Sequence, residues 1–116
     1  MSKRGDLEYL NDMKEAIRRI QSYTKGFSYQ KFLKDTKTQD AVIRNLEIIG
    51  EAAKNISPSL RRSYKPIDWG QVAGMRDRLI HQYFGVNWEI VWNVIEEKLP
   101  ELKSQIGRIL AEGKGQ

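Results

Sequence analysis

Four residues that suit phosphate chemistry, together with one carboxylate, lie within eight positions of one another. Arg76, Asp77 and Arg78 are followed closely by His81 and Tyr83. Arginine binds phosphate oxygens through its planar set of N–H donors, and histidine can transfer a proton near neutral pH. The cluster therefore indicates phosphate chemistry. It is also compatible with a solvated face next to a structural histidine and a packed tyrosine, because clustered ionisable groups identify a site only statistically.

Helix geometry restricts how these side chains can meet. At 100° per residue, Arg76 and Tyr83 lie within about 20° of each other on a regular helix, whereas Arg76 and His81 diverge by about 140°. Convergence then needs either a helix that loosens near His81 or a two-fold dimer that brings both copies of the segment to one cleft. A dimer would also supply two histidines, one to take a proton and one to give one.

Composition excludes several other kinds of site. The chain has no cysteine, and His81 is its only histidine. Thiolate nucleophiles, disulfides and iron–sulfur clusters are therefore excluded, and a zinc site would need mostly carboxylate ligands. We expect neither a metal ion nor another cofactor.

The overall charge is basic. Twenty lysines and arginines against 15 aspartates and glutamates give a formal net charge of +5. This balance favours an anionic partner such as nucleic acid or a nucleotide, although a charge of this size is also normal for solubility.

The sequence predicts a cytoplasmic protein with no membrane partner. Its longest stretch without a charged residue is the ten positions 79–88, far short of the roughly 20 apolar residues that span a bilayer. The first residues, MSKRGDLEYL, carry charges where a secretory signal needs an apolar run.

Apolar periodicity predicts a first long helix that is capped by Asp6 and ends at Gly26. A short helix capped by Ser28 is expected over residues 29–34. The predicted inner stripe of the long helix consists of Leu7, Leu10, Met13, Ile17 and Ile20.

A second long helix is predicted to begin at Asp35 or Thr38 and to stop at Ser57 and Pro58. The same Ser-Pro pair also indicates the cap and first position of a brief helix through Arg62. The buried face of the second long helix is predicted to contain Val42, Leu46, Ile49, Ala53 and Ile56.

Asp68 and Gln71 resemble a capping box that starts a third long helix. Gly70 and Gly74 lie four positions apart and predict a bare strip where another backbone can approach, with Gly50 as the candidate partner. The apolar positions of this helix are Trp69, Val72, Met75, Leu79 and Ile80.

A last helix is predicted to start with Asn87 as its cap and to kink or restart at Pro100. Its inner stripe is Trp88, Val91, Ile95, Leu99, Leu102, Ile106 and Leu110.

Together these patterns predict an all-α protein, an antiparallel four-helix bundle with short additional helical turns. We expect one domain over residues 1–116, with a frayed tail at 113–116.

Three segments resemble one known family. Residues 75–84, MRDRLIHQYF, resemble the signature of the HEPN family, specifically its HepT-like toxin branch: arginine, a polar residue, three positions, histidine, one position and tyrosine. Residues 38–55, TQDAVIRNLEIIGEAAKN, resemble the second helix of that branch. Residues 84–86, which lead into WEIVW at 88–92, also resemble the branch. The three matches occur in the expected order, and the resemblance covers about residues 6–102.

The resemblance implies a small helical bundle that dimerises and acts as a metal-independent ribonuclease, usually the toxin of a toxin–antitoxin pair. The family's catalytic arginine and histidine correspond to Arg76 and His81, its polar residue to Asp77 and its tyrosine to Tyr83. The antitoxin of this branch resembles a minimal nucleotidyltransferase, which can neutralise the toxin by attaching AMP to that tyrosine. Gln82 departs from the family pattern, which often has glycine at this position between the histidine and the tyrosine.

The implied reaction is attack of a ribose 2′-OH on the adjacent phosphorus. His81 would move the proton, and Arg76 would stabilise the negative charge that develops on the phosphoryl oxygens. Asp77 would orient one of these two residues, or would simply be a surface acid paired with an arginine. Tyr83 would position the RNA or the histidine.

Further basic residues are candidates for binding RNA phosphates. Arg78 lies within the signature, and Arg61, Arg62 and Lys65 lie in the basic connection before the third long helix. The alternative is a solvated loop. Phosphate contacts would make RNA affinity depend on salt with little sequence preference.

A non-catalytic helical module that binds a nucleotidyltransferase or a nucleotide is the competing hypothesis, since a helical fold does not specify an activity. The complete set of Arg76, His81 and Tyr83 favours the nuclease. A basic amphipathic membrane binder is less compatible with the sequence, because the apolar stripes are needed for a shared core.

Overall fold

The computed structural model describes residues 4–80 and 86–113, with side chains for all of these except Arg76, Leu79, Ile80 and Gly113. Every regular element in these ranges is helical, which confirms the predicted all-α class. In chain order the elements are α1 (Asp6–Thr24), α2 (Tyr29–Leu33), α3 (Thr36–Lys54), α4 (Pro58–Ser63), α5 (Trp69–Ile80), α6 (Trp88–Asn93), a π-helical turn (Val94–Lys98) and α7 (Leu99–Gly113).

Helices α1 and α3 form the main packing pair of the bundle. The four apolar positions predicted for the body of α3 are buried, as are all those predicted for α1 except Leu7. Leu7 is 43% exposed, so the prediction that it belongs to the inner stripe is wrong. The buried stripe of α1 begins one turn later, at Leu10.

The start of α1 differs from the prediction in a second respect. Gly5, not Asp6, is the residue before the first helical turn, and its N–H donates to the Glu8 carboxylate over 2.9 Å. Asp6 is the first helical residue, and its carboxylate accepts hydrogen bonds from the N–H and the hydroxyl of Ser57, at 2.9 and 2.6 Å. A side chain predicted to cap its own helix therefore joins the start of α1 to the start of α4.

Three of the predicted caps are confirmed by hydrogen bonds. The Ser28 hydroxyl accepts the N–H of Lys31, the Asp35 carboxylate accepts that of Thr38, and the Asn87 side chain accepts that of Ile90. Asp35 is thus the cap of α3, the first of the two predicted alternatives. Gly26 follows α1 with φ of 79°, a left-handed conformation that glycine adopts without steric cost.

The predicted restart at Pro100 is confirmed as a change of helix type. Proline has no N–H and its ring crowds the carbonyl four residues earlier, so the regular α-helical ladder cannot continue through it. Immediately before it, the N–H of Leu99 donates to the carbonyl of Val94, five residues back, and the π-helical turn ends there. Helix α7 then buries Leu99, Leu102, Ile106 and also Ile109, a position that the predicted stripe omitted.

The remaining long-range contacts complete an antiparallel arrangement. Lys103 of α7 donates to Gln21 of α1 over 3.2 Å, and the Tyr64 hydroxyl donates to Glu112 near the end of α7 over 3.0 Å. Helix α5 packs against α3. The core lies between α1, α3 and the α6–α7 segment, and α5 covers it from one side through Trp69 and Met75.

Candidate functional site

Helix α5 carries the first part of the predicted cluster, and its start is held firmly. The Asp68 carboxylate accepts the N–H of Gln71 over 2.9 Å, which confirms the predicted cap. The buried Trp69 ring donates its indole N–H to the carbonyl of Tyr64 over 3.1 Å. With Trp69 and Met75 in the core, the rotation of α5 is fixed and Asp77 and Arg78 are exposed.

Arg76 lies on α5 between the buried Met75 and the exposed Asp77, but its side chain is not among those that the structure describes. His81 and Tyr83 lie outside the described residues, as does Gln82. The meeting of Arg76, His81 and Tyr83 at one site therefore stays a prediction. The structure shows the position of α5, the helix that precedes His81 and Tyr83 in the sequence.

Asp77 lines a cleft of about 190 Å³ between α3 and α5. The α3 wall contains Gly50, Glu51 and Lys54, and the α5 wall contains Ala73 and Gly74. Asp77 thus occupies a recess between two helices, with a lysine of the opposite helix on the same lining. A carboxylate in this position can orient a cationic group that enters the cleft.

The two predicted glycines do not form a close contact between backbones. A Cβ atom added to Gly70 would have its nearest described neighbour at 3.8 Å, and one added to Gly74 at 3.9 Å, both ordinary van der Waals distances. These neighbours are side chains of α5 itself or of its cap, Arg78 and Asp68. Among the described atoms, no α3 backbone atom lies within 4 Å of either added Cβ, so a close approach is not found at Gly70 or Gly74, although Gly50 and Gly74 do line the same cleft between α3 and α5.

Arg78 is directed to a different recess from Asp77. Its guanidinium donates to the carbonyl of Gln71 over 3.3 Å and so folds back along α5. It lines a groove of about 340 Å³ with the exposed Ile90 and with Lys98 on the other side. Adjacent residues of one helix thus contribute to two separate recesses.

The three basic residues between α3 and α5 have different environments: Arg61 makes structural hydrogen bonds, whereas Arg62 and Lys65 are exposed. One guanidinium nitrogen of Arg61 donates to the carbonyls of Ala53 and Lys54, at 2.9 and 3.1 Å, and so caps the end of α3. The missed signal is that a cation soon after a helix end can satisfy its free carbonyls.

The clearest pKa shifts of described carboxyl groups belong to structural contacts. Arg18 and Arg19 lower the pKa of Glu15 to about 2 by hydrogen bonds along the exposed face of α1. The hydrogen bond from Thr38 lowers the pKa of the Asp35 cap. Within the described ranges no three histidines, cysteines or carboxylates are grouped so that they could hold a metal ion.

Sequence reasoning missed an aromatic contact between α2 and α6. Phe32 is fully buried, and its ring centroid lies 5.6 Å from that of Trp88 and 5.1 Å from that of Trp92. The ring centroid of Tyr29 lies 6.2 Å from that of Trp92. The available signal was the density of aromatic residues on the short helix, since aromatic rings dominate core contacts.

None of the helices in the described ranges is both long enough and apolar enough to cross a membrane.

Comparison with known proteins identifies one family over most of the chain. The family model described as "Ribonuclease HepT-like" matches residues 13–109. This match includes α5 and the segment that contains Arg76, His81 and Tyr83.

Individual relatives agree with the family match. A protein of Thermococcus cleftensis named "Probable ribonuclease HepT" is 46% identical over 107 residues, which cover 92% of this chain and 97% of the relative. A protein of Methanocaldococcus jannaschii named "Putative RNase MJ0127" is 40% identical over 116 residues, covering 100% of this chain and 96% of the relative. No solved structure matches the chain significantly.

Proposed function

Since the chain belongs to the HepT-like ribonuclease family, we propose that it is a metal-independent endoribonuclease, the toxin of a toxin–antitoxin pair. The observation that carries this proposal is the family match over residues 13–109, which includes the complete set of Arg76, His81 and Tyr83. The ribonuclease names of relatives that align over nearly their whole length support the same activity. Its substrate is RNA in the cytoplasm.

The proposed reaction is cleavage by an internal nucleophile. The ribose 2′-oxygen attacks the adjacent phosphorus, the bond to the 5′-oxygen of the next nucleotide breaks, and a 2′,3′-cyclic phosphate and a 5′-hydroxyl form. His81 accepts the 2′-OH proton or donates one to the leaving oxygen, and Arg76 stabilises the charge on the phosphoryl oxygens. No metal ion or other cofactor takes part.

The catalytic cleft is proposed to be shared by two copies of the chain. A homodimer supplies two histidines and overcomes the divergence of Arg76 and His81 on a regular helix. Asp77 supports the site by orienting Arg76 or His81, which agrees with its place in the cleft between α3 and α5.

The further basic residues, Arg78 within the signature and Arg61, Arg62 and Lys65 before α5, have unequal parts in RNA binding. Arg78, Arg62 and Lys65 are exposed and available for backbone phosphates. The guanidinium of Arg61 already binds two α3 carbonyls, so we assign it the weakest contribution.

Inactivation is proposed to occur through Tyr83. A minimal nucleotidyltransferase antitoxin binds the toxin, the Tyr83 oxygen attacks the α-phosphorus of ATP, and pyrophosphate leaves. The attached AMP adds a negative charge and a bulky nucleoside next to the cleft, so RNA is repelled and blocked.

The direct test of the activity is cleavage of mixed cellular RNA in EDTA by the purified protein. Wild type is expected to cleave, and folded Arg76→Ala and His81→Ala variants are expected to lose about 100-fold or more of the rate. Circular dichroism and analytical ultracentrifugation report folding and dimer formation for each variant. Absence of cleavage by wild type with bare Tyr83 would contradict the proposal and favour the non-catalytic module that binds a nucleotidyltransferase or a nucleotide.

The inactivation route has its own test. After incubation with the nucleotidyltransferase and ATP, mass spectrometry is expected to show one AMP on Tyr83 and a parallel loss of cleavage. Tyr83→Phe is the matched control, because it removes the accepting oxygen and keeps the ring. Full neutralisation of wild type with Tyr83 unmodified would refute this route.

A further inference from the structure

Residues 25–37, which we call the α2 basic segment, concentrate much of the positive charge of the chain. The segment contains four lysines and one acidic residue, a formal charge of +3 out of +5 for the whole chain. The acidic residue, Asp35, is engaged as the cap of α3. All four lysines are exposed: Lys25, Lys31, Lys34 and Lys37.

The segment is anchored to the bundle. Phe32 is fully buried, and the Gln39 side-chain amide, only 9% exposed, donates to the carbonyls of Phe32 and Leu33 at 3.0 and 3.2 Å. The Ser28 cap fixes the first turn of α2. The lysine side chains therefore extend from a backbone that does not have to be ordered when a ligand binds, which lowers the entropic cost of binding.

Partly exposed aromatic side chains belong to the same segment or pack against it. Tyr29 and Trp92 are both half-buried, with ring centroids 6.2 Å apart and planes inclined at 44°. Phe32 supports Trp92 from the core side at 5.1 Å. The Lys31 ammonium lies 4.3 Å from the centroid of the half-buried Phe27 ring. Lysines interspersed with partly exposed rings are the combination that binds single-stranded nucleic acid, with phosphates on the cations and bases on the rings.

The segment is also connected to the candidate site by the fold. Helix α2 packs on α6 through Phe32, Trp88 and Trp92. In the sequence, α6 directly follows the segment that contains His81 and Tyr83. A strand of RNA bound in the active cleft and extending past α6 would meet α2.

We propose that the α2 basic segment binds single-stranded RNA flanking the cleavage position, with its lysines on backbone phosphates and the Tyr29–Trp92 surface against a base. This inference rests on the proposed ribonuclease function and adds an RNA contact separate from the signature and from the basic residues that precede α5. Cations together with partly exposed rings suit a strand that offers both phosphates and bases, which favours RNA; an acidic protein is the alternative occupant that the test below distinguishes.

The binding test uses a His81→Ala background, which removes cleavage, and a fluorescein-labelled single-stranded oligouridylate. Lys31→Gln/Lys34→Gln is expected to weaken binding several-fold in fluorescence anisotropy. The slope of log affinity against log salt should fall by roughly 1.4, because each phosphate contact on a single strand contributes about 0.7. Lys14→Gln/Arg18→Gln, on the exposed face of α1, removes the same charge and is expected to change neither quantity.

The ring contact is tested separately. Tyr29→Leu is expected to weaken oligouridylate binding, whereas Tyr29→Phe keeps the aromatic face and is expected to bind like the parent. Equal affinity of the leucine and phenylalanine forms would overturn the stacking part of the proposal.

A cleavage comparison separates this inference from the proposed function. With otherwise wild-type protein, Lys31→Gln/Lys34→Gln is expected to raise KM for a long RNA and to leave cleavage of a dinucleotide unchanged. If wild type cleaves no RNA but the lysine variants still lose oligouridylate binding, the proposed function fails and the binding segment stands. Unchanged oligouridylate affinity and salt slope in the lysine variants would overturn the inference and leave an acidic protein as the candidate occupant of the segment.

Discussion

The α1–α3 pair buries far more apolar side chains than the described part of α5. Both long helices of the pair place a continuous stripe in the core, with Met13, Ile17, Leu46 and Ile49 fully buried. Among the described side chains of α5, only Trp69 and Met75 are buried.

The same helix carries features that are unfavourable for stability. Two glycines lie within its twelve residues, and each costs about 1 kcal/mol of helix propensity relative to alanine. Its last turns expose Asp77 and Arg78 to the recesses on both sides. The comparison indicates that α1 and α3 provide most of the buried core, whereas α5 presents polar groups to which we propose a part in catalysis.

The largest expected effect is a cavity in the α1–α3 core. Leu46 is fully buried, so Leu46→Ala is expected to lower the free energy of unfolding by about 2–5 kcal/mol. Leu33→Ala is the matched control, because Leu33 is 42% exposed and leaves no cavity. Equal losses for the two variants in urea denaturation would contradict the assignment of the core to this pair.

A smaller loss is expected at the junction of α1 and α4. Asp6→Ala removes the acceptor for two hydrogen bonds from Ser57, so we expect a loss of about 1–2 kcal/mol for this partly exposed charged contact. The exposed Asp40 provides the control substitution Asp40→Ala. The same urea denaturation measures both, and a loss no greater than that of the control would show that the Asp6–Ser57 contact contributes little.

Helix α5 is expected to respond in the opposite direction. Gly74→Ala adds a Cβ atom that meets its nearest described neighbour at 3.9 Å, so the unfolding free energy should rise by up to about 1 kcal/mol. Gly26→Ala should lower it by about 1–2 kcal/mol, because Gly26 has a positive φ. Thermal unfolding distinguishes the two signs, and destabilisation by Gly74→Ala would show that α5 needs the bare backbone.

The smallest expected effect concerns the exposed face of α1. Arginines lower the pKa of Glu15 from 4.5 to about 2, so its ionised form stabilises the fold above pH 4.5 and this contribution is lost as the pH falls toward 2. Glu15→Gln should therefore have a slightly lower Tm than wild type at pH 7, with the difference disappearing near pH 2. Glu101→Gln, also exposed, is the control, and a constant difference across the pH range would contradict the pairing.

Local signals predicted the fold more fully than they predicted the site. The caps at Ser28, Asp68 and Asn87 were predictable because the cap and its N–H partner are three residues apart. The contact between Asp6 and Ser57 spans 51 positions and has no local signal. The exposure of Leu7 likewise has no local signal, because its spacing fits the apolar stripe of α1.

The site shows the same division. Spacing alone identified the residue types around Arg76 that suit phosphate chemistry. It could not predict that Asp77 and Arg78 line different recesses, because that depends on how α3 and α7 flank α5. The capping role of Arg61 depends on the fold in the same way, since its partners lie seven and eight residues earlier on another helix.

The most direct test of the account measures RNA cleavage in EDTA and thermal unfolding on the same two variants. Arg76→Ala is expected to lose cleavage and to keep the wild-type Tm. Leu46→Ala is expected to have a lower Tm but to cleave RNA at a temperature where it is still folded. This double separation would assign chemistry to α5 and stability to the α1–α3 pair. Full cleavage by folded Arg76→Ala would contradict the central claim that α5 carries the catalytic site.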